Sequence, residues 1–148
     1  MLTGRACTVA AEARDFNGPR IVSESDIVQL KGSAGFTAAH PSQRERLEEL
    51  EAKAMLVDPS EMPADVVTMN TIVECVRADS NEAYEWTLAY PHEADFGNGR
   101  VSVLSPIGIA LFGARCGQTV VCIVPNGEAI RYFVRRILYQ PEKKHFGA

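Results

Sequence analysis

The chain has 148 residues, of which 46% are hydrophobic and 23% are charged. This length and composition are typical of one ordinary globular core with at most a small appendage. The net charge of −4 argues against nucleic acid as the main partner, because phosphate binding usually needs clustered positive charge. We therefore expect no direct sequence-specific contact with nucleic acid.

No apolar run in the sequence approaches the length of a membrane span. The N-terminus contains a short apolar patch, but Glu12 and Asp15 interrupt it and make it a poor secretory signal. We therefore expect a cytoplasmic protein with no membrane partner.

The cysteines and histidines do not form a recognisable metal-binding pattern. No two of the four cysteines make a Cys-x-x-Cys pair, and the three histidines are scattered. Zinc sites usually show close ligand spacing, so we expect no metal and no other cofactor. Cys75 and Cys122 lie in strand-like runs, where a cysteine is usually a small buried hydrophobic residue.

Residues 1–18 show no convincing periodicity and are interpreted as a mobile N-terminal extension. Ser23–Lys31 is predicted to be a short helix that begins with a serine cap and ends at Gly32. Ser42 and Glu45 have the spacing of a capping box.

The capping box of Ser42 and Glu45 predicts a second helix over Gln43–Leu56. Its inward stripe is formed by Leu47, Leu50 and Ala54. Two such helices joined by a short connection predict an antiparallel hairpin over residues 19–60.

Two prolines within the segment from Asp58 to Pro63 should end the second helix and prevent a regular strand. We place a domain boundary there, with a second domain over residues 61–142 and a frayed tail over 143–148. Apolar and β-branched periodicity, with antiparallel hairpins throughout, predicts five strands in this domain. The predicted strands are Val66–Arg77, Tyr84–Tyr90, Val101–Leu104, Thr119–Val124 and Ala129–Gln140.

The last of these strands changes the parity of its apolar residues halfway along. Tyr132 and Val134 share one face, whereas Ile137 and Tyr139 have the opposite parity. An extra residue at Arg135–Arg136 would bring all four side chains to one face, so we predict a β-bulge there.

The most informative stretch runs from Val101 to Gly117. Ser105 is a good N-cap and Pro106 suits the first helical position, where its missing N–H has no effect. Ile107, Ala110 and Leu111 then share one face, and Gly113 can close the short helix in a left-handed conformation. These features predict an α+β fold with one helix between the third and fourth strands.

The residues of this stretch resemble the C-terminal domain of the Gre transcript-cleavage factors. The family pattern is a strand followed by Ser-Pro-Ile-Gly, Ala-Leu-Leu-Gly and Gly-Asp. The corresponding residues here are Ser105-Pro106-Ile107-Gly108, Ala110-Leu111-Phe112-Gly113 and Gly117-Gln118. Three other stretches are similar to the Rnk branch (regulator of nucleoside diphosphate kinase), a short-armed relative of the Gre factors. They are residues 61–70, residues 87–91 and the ending Tyr139-Gln140-Pro141-Glu142.

The resemblance covers about Ile21 to Glu142 and implies an FKBP-like antiparallel sheet with one short helix. Gre factors carry acidic residues at the tip of a long N-terminal coiled coil, where they help to hold magnesium for transcript cleavage. The matching turn here, Lys31 to Pro41, contains no Asp or Glu. Because a hard cation needs carboxylate oxygens, the resemblance favours an Rnk-like, non-enzymatic regulator.

The resemblance further implies RNA polymerase as the partner, bound near the secondary channel in competition with Gre factors. We expect the contact residues at the start of the short helix, with Ile107 protruding; they are Leu104, Ser105, Pro106, Ile107 and Gly108. Capping and packing alone explain the same residues equally well.

Two residues depart from the family pattern: Leu104, where Gre factors often carry Asp or Asn, and Gln118 in place of Asp. Two alternatives are regulation of nucleoside diphosphate kinase through another partner and peptidyl-prolyl isomerase activity. The second needs a deep aromatic pocket, which an aromatic content of only 7% makes unexpected. The sequence contains no phosphate loop, nucleophile elbow or informative Cys/His pair.

Overall fold

A computed structural model describes residues 5–6 and 20–146 of the chain. The helices are α1 Glu24–Lys31, α2 Ala34–Thr37, α3 Pro41–Lys53 and α4 Pro106–Leu111. The strands are β1 Arg5–Ala6, β2 Ile21–Ser23, β3 Met55–Val57, β4 Ile72–Arg77, β5 Ala83–Ala89, β6 Arg100–Ser102, β7 Thr119–Ile123 and β8 Ala129–Tyr139. Short 3-10 segments cover Pro59–Glu61, Pro91–Glu93, Phe96–Asn98 and Pro141–Phe146.

Six strands form one sheet around the long strand β8. Strand β4 pairs along one edge of β8, while β7 and β1 pair with successive parts of the other edge. Strand β5 follows β4, and β6 completes the order. The predicted helix between the third and fourth strands of the domain is confirmed as α4. The prediction of antiparallel pairing throughout is wrong at one place, because β5 and β6 are parallel.

Strand β8 contains the predicted bulge and a second irregularity. The register against β4 shifts at Arg135, so Arg135 and Arg136 can both lie within 3.1 Å of the Glu74 carboxylate. A further shift skips Leu138. The prediction that Tyr139 shares the buried face of Tyr132 is therefore wrong. The second shift turns Tyr139 to the opposite face, where it is exposed.

Strand β4 is shorter than predicted, because the chain turns between Thr68 and Thr71. The Thr71 hydroxyl accepts a hydrogen bond from the Thr68 backbone N–H at 2.9 Å, and Asn70 has a positive φ of 66°. Val66 keeps only an isolated bridge to Arg115. Asn70 lies inside the apolar run that predicted a single strand, and asparagine is one of the residues that adopt the left-handed conformation of such turns.

The predicted first helix is confirmed, with Ser23 as its N-cap and Gly32 at its C-terminal end. The second differs at both ends. Helix α3 begins at Pro41, and its capping box pairs His40 with Gln43 rather than Ser42 with Glu45. It ends at Lys53, after which β3 pairs in parallel with β2. Parallel strands need a crossover connection, and the helices supply it.

The ends of the chain also differ from expectation. Arg5 and Ala6, within the expected mobile extension, form β1; the rest of residues 1–18 lies outside the described part of the chain. The expected frayed tail begins inside the 3-10 segment Pro141–Phe146. Across the described ranges, no helix combines the length and apolar character that crossing a membrane requires.

One hydrophobic core joins residues 20–57 to the sheet. Leu47 of the expected inward stripe is fully buried, and Leu50 and Ala54 pack against the same core. Cys75 and Cys122 are buried free thiols, as predicted. We call residues 20–57 the arm. The arm side chains in the buried cluster are Val22, Ile27, Leu30 and Leu47.

A buried carboxyl group also joins the arm to the sheet. Asp26 of α1 accepts a hydrogen bond from the Met69 backbone N–H at 3.2 Å. Burial raises the pKa of this carboxyl to about 7; the nearby Glu142 carboxylate adds to the rise, and the bonds from Met69 and Tyr90 oppose it. Glu142 itself accepts from the Thr68 hydroxyl at 2.8 Å. Asp26 is thus uncharged in much of the folded population near neutral pH.

We predict that Asp26→Asn removes a pH dependence of stability. The folded-state pKa of Asp26 lies above its unfolded value of 3.8, so its contribution is complete below pH 3.8 and is lost as pH rises through 7. Asparagine keeps an oxygen for the Met69 N–H without a charge. As the pH rises from 5 to 8, the free energy of unfolding of the variant should therefore increase relative to that of the parent. The increase is at most about 1.4 kcal/mol for each unit by which the pKa of Asp26 is shifted.

Urea denaturation of both proteins at several pH values measures this difference. A stability difference that stays constant from pH 5 to pH 8 would show that Asp26 does not titrate in this range.

Candidate partner-binding site at the start of helix α4

The start of α4 is fixed by a compact set of hydrogen bonds. Ser105 Oγ accepts from the Gly108 backbone N–H at 3.1 Å and donates to the Ser102 carbonyl at 2.6 Å. Pro106 occupies the first helical turn, where no amide donor is needed. The predicted cap is therefore confirmed, and one hydroxyl joins α4 to the end of β6.

Helix α4 lies unusually close to the end of β6. A Cβ atom added at Gly108 would stand 1.8 Å from the Ser102 carbonyl oxygen and 2.8 Å from Val103 Cα. Both neighbours are backbone atoms, which cannot rotate away. The glycine of the Ser-Pro-Ile-Gly sequence is therefore required by the packing of a helix on a strand end.

The expectation that Ile107 protrudes toward a partner is wrong. Only 9% of Ile107 is exposed, and Leu104 and Gly108 are also buried. Their apolar character serves the core, since Ile107 is on the inward face of a short helix. Of the five residues expected to bind a partner, only Ser105 and Pro106 are partly exposed.

Ser105, Pro106 and Ile107 line an apolar cleft between α4 and the sheet, with a volume of about 450 Å³. Trp86 and Tyr132 form much of its floor, and their rings meet edge to face with centroids 5.2 Å apart. Tyr84 stacks behind Trp86 at 5.0 Å. This volume lies within the range of ordinary ligand pockets.

Phe96 lies at the edge of the cleft on the 3-10 segment Phe96–Asn98 and is 71% exposed. A phenylalanine this exposed keeps its ring in water, where its apolar area is available to a partner. The sequence did not predict the cleft. The alternation in β5 placed Tyr84 and Trp86 on one face, but nothing in it showed that Tyr132 and Phe96 come to the same place.

The described lining of the cleft is mainly apolar. Its one charged lining residue among those described, Arg100, pairs with Glu93 at 3.7 Å and donates to the Glu93 carbonyl. Burial raises the pKa of the Cys122 thiol, which makes it a weak nucleophile. Within residues 5–6 and 20–146, no group of three His, Cys, Asp or Glu side chains could hold a metal ion.

The two positions that depart from the expected pattern both accept hydrogen bonds, through the backbone carbonyl at Leu104 and through the side chain at Gln118. The Leu104 carbonyl accepts from Gln43 Nε2 at 3.2 Å. Gln118 Oε1 accepts from the Arg115 backbone N–H at 3.1 Å and thereby closes the turn before β7. At position 118 the amide oxygen therefore stabilises a turn.

The cleft and α4 lie within a segment that matches a known family. The family model described as "Transcription elongation factor, GreA/GreB, C-term" matches residues 62–139, more than half of the chain. The transcription elongation factor GreA of Chlorobium phaeovibrioides is 37% identical over 115 residues, which cover 73% of this chain and 72% of that protein. The chain therefore belongs to the GreA/GreB C-terminal family.

Within this family, the chain is similar to the regulator of nucleoside diphosphate kinase of Escherichia coli K12. The two are 39% identical over 90 residues, which cover 61% of this chain and 66% of that protein, just under two thirds of its length. A solved GreA/GreB factor from Nitrosomonas europaea has a TM-score of 0.61 at 30% identity and covers 83% of this chain and 100% of the other. These relatives are named as transcription factors or as a regulator, not as enzymes.

We predict that Gly108→Ala destabilises the fold strongly, because the new methyl group meets the Ser102 carbonyl oxygen and backbone must move. The expected loss is about 3 kcal/mol or more, the upper end for an overpacked site. Gly97→Ala is the matched control, since its nearest atom would be the Asp95 side-chain oxygen at 3.8 Å.

The control should change stability by no more than about 0.5 kcal/mol. Urea denaturation followed by circular dichroism measures both variants. Equal stability of the two would mean that α4 can move away from β6 at little cost.

Proposed function

We propose that this protein is a non-enzymatic regulator of transcription that binds RNA polymerase near the secondary channel and competes there with Gre factors. The domain at residues 61–142, with an FKBP-like fold, makes the contact, and the helical hairpin at residues 19–60 supports it. Membership of the GreA/GreB C-terminal family supports the partner. The proposed binding site rests on one observation, the apolar cleft bordered by Ser105, Pro106 and the exposed ring of Phe96.

The cleft can accept an apolar side chain from a polymerase surface. Its floor of Trp86, Ile107 and Tyr132 is buried, while Pro106 and Phe96 at its edge reach solvent. Interfaces gain most of their affinity where an anchor enters such a preformed apolar pocket. Arg100 is already ion-paired with Glu93, so we assign the binding energy to apolar contact rather than to charge.

The tip of the hairpin supports inhibition rather than cleavage. Gly32 to His40, the connection between α1 and α3, contains helix α2 and no acidic residue. Helix α3 with its 13 residues spans only about 20 Å, too little for a deep reach into a channel. A factor that occupies the Gre site without delivering carboxylates would block cleavage. We place this activity in the cytoplasm.

A competition experiment on core RNA polymerase tests the proposal. We expect the protein to bind core polymerase and to suppress Gre-stimulated transcript cleavage in proportion to its concentration, without cleaving transcripts itself. Bound protein and cleaved transcript are measured in the same reaction. Binding without any effect on Gre-stimulated cleavage would contradict competition.

Two matched variants locate the contact in the same experiment. Phe96 and Val28 are both 71% exposed, but only Phe96 lines the cleft. Phe96→Ser should weaken binding about tenfold, the size expected for a well-placed aromatic contact, whereas Val28→Ser on α1 should bind as the parent does. An equal effect of both substitutions would remove the cleft from the interface.

If the parent does not bind polymerase, the family membership stands and the partner must be another protein. The similarity to a regulator of nucleoside diphosphate kinase makes regulation of that enzyme through another partner the next candidate. The same pull-down, performed with nucleoside diphosphate kinase in place of polymerase, distinguishes the two.

The cleft is also the observation that favours a peptidyl-prolyl isomerase. Low aromatic content led us to expect no aromatic pocket, yet Trp86, Phe96 and Tyr132 line one cleft. We nevertheless predict no isomerase activity, because fold and pocket alone do not supply a function. A proline-peptide isomerisation assay measures this, and a rate above the uncatalysed background would contradict the non-enzymatic proposal.

A further inference from the structure

We propose that the arm positions helix α4, and with it the edge of the cleft, through Arg20 and Gln43 at opposite ends of the helix. The two side chains are positioning residues for partner binding rather than contact residues. This inference rests on the function proposed above and adds a role for the arm that does not depend on its reaching into a channel.

Arg20 holds the C-terminal end of α4. Its Nη1 atom donates to the Ala110 carbonyl and to the Phe112 carbonyl, both at 2.8 Å. The last carbonyls of a helix have no partner within the helix and carry partial negative charge. The Arg20 guanidinium group gives two of these carbonyls a hydrogen-bond donor and places a positive charge beside them. Burial lowers the pKa of Arg20 to about 10, so the group stays charged at neutral pH.

The backbone beside Arg20 closes around the same helix end. The Ile21 N–H donates to the Gly113 carbonyl at 3.3 Å. Gly113 has a φ of +81°, and a Cβ atom there would stand 2.9 Å from Arg20 Cβ and 3.1 Å from the Ile21 carbonyl oxygen. The first residues of the arm therefore leave α4 little room to slide along its axis.

Gln43 holds the N-terminal end. Its Nε2 atom donates to the Leu104 carbonyl at 3.2 Å, while its Oε1 atom accepts from the His40 N–H at 3.2 Å. The capping interaction at the start of α3 thus orients the amide that reaches Leu104. Position 104 immediately precedes the Ser105 cap, so the bond restrains the residue at which α4 begins.

The arm also contacts the segment that precedes Phe96, at the edge of the cleft. A Cβ atom at Gly35 of α2 would stand 2.6 Å from Pro91 Cβ, so α2 lies directly against the 3-10 segment Pro91–Glu93. That segment leads into Asp95 and Phe96. The arm therefore contacts α4, which lines the cleft, and the segment that leads to Phe96 at its edge.

These contacts matter because α4 has only six residues. Helices this short are not stable in isolation and take their position from tertiary contacts. The cap and the Gly108 contact fix α4 against β6, and the Arg20 and Gln43 bonds fix its ends against the arm. Loss of the arm bonds should loosen α4 without removing any residue from the cleft.

Arg20→Gln and Arg44→Gln form a matched pair for the test. Arg44 Nη1 also donates to two carbonyls, those of Thr37 and Ala39, at 2.9 and 2.8 Å, but both lie within the arm. Hydrogen–deuterium exchange of the Ile109 and Phe112 amides reports on α4, and the affinity for core RNA polymerase reports on the interface. Both are measured on the full chain.

We expect Arg20→Gln to raise exchange of the two α4 amides about tenfold and to weaken polymerase binding about tenfold, because a neutral side chain weakens the two charge-assisted hydrogen bonds to the end of α4. Arg44→Gln should stay within about twofold of the parent in both measurements. Arg20→Lys, which keeps a charged donor, should recover part of the affinity. Unchanged exchange in Arg20→Gln, or faster exchange with parental affinity, would overturn the inference.

Gln43→Glu provides a second variant if Arg20→Gln does not fold. It keeps the acceptor for the His40 N–H and loses the donor to Leu104, so it too should raise exchange at Ile109 and weaken binding. If the parent fails to bind polymerase, the proposed function fails. The exchange comparison then still decides whether the arm positions α4.

Discussion

The contact between Gly108 and the Ser102 carbonyl sets the geometry of the described structure around the cleft. Helix α4 can lie against the end of β6 only because position 108 has no side chain. That approach brings Ile107 to the core and leaves Ser105 and Pro106 at the surface. The cleft is the space that remains between a helix held this close and the aromatic face of the sheet. A helix placed further out would open the cleft to solvent.

The arm and the sheet depend on each other through one core and several polar contacts. Leu30 and Leu47 are buried with side chains of the sheet, and Asp26 bonds the backbone beyond the domain boundary placed from sequence. The two prolines at that boundary lie in the chain between β3 and β4. They do not separate two cores, because apolar residues on both sides pack together.

Sequence reasoning predicted local features well where one residue type has one physical role. Ser23 and Ser105 as caps, Gly113 as a left-handed terminus and the extra residue at Arg135 all follow from backbone geometry. Features that depend on distant partners were not predictable in this way. The parallel pairing of β6, the second shift at Leu138 and the burial of Ile107 depend on which elements pack together.

At the candidate site, too, local features follow from the sequence, whereas burial depends on which elements pack together. The Ser-Pro-Ile-Gly sequence lies beside the cleft, but three of the five residues predicted there to contact a partner are buried by the fold. Such a signature records how a short helix is attached to a sheet. Differences in partner choice among related proteins are better sought at exposed positions such as Phe96, which the fold leaves free to vary.

The position of Trp86 has a spectroscopic consequence. It is the single tryptophan of the chain, and it lies at the floor of the cleft with its ring between Tyr84 and Tyr132. Its emission therefore depends on how much water enters the cleft. A molecule that fills the cleft displaces that water, so the protein carries an intrinsic fluorescent reporter of occupancy that needs no label.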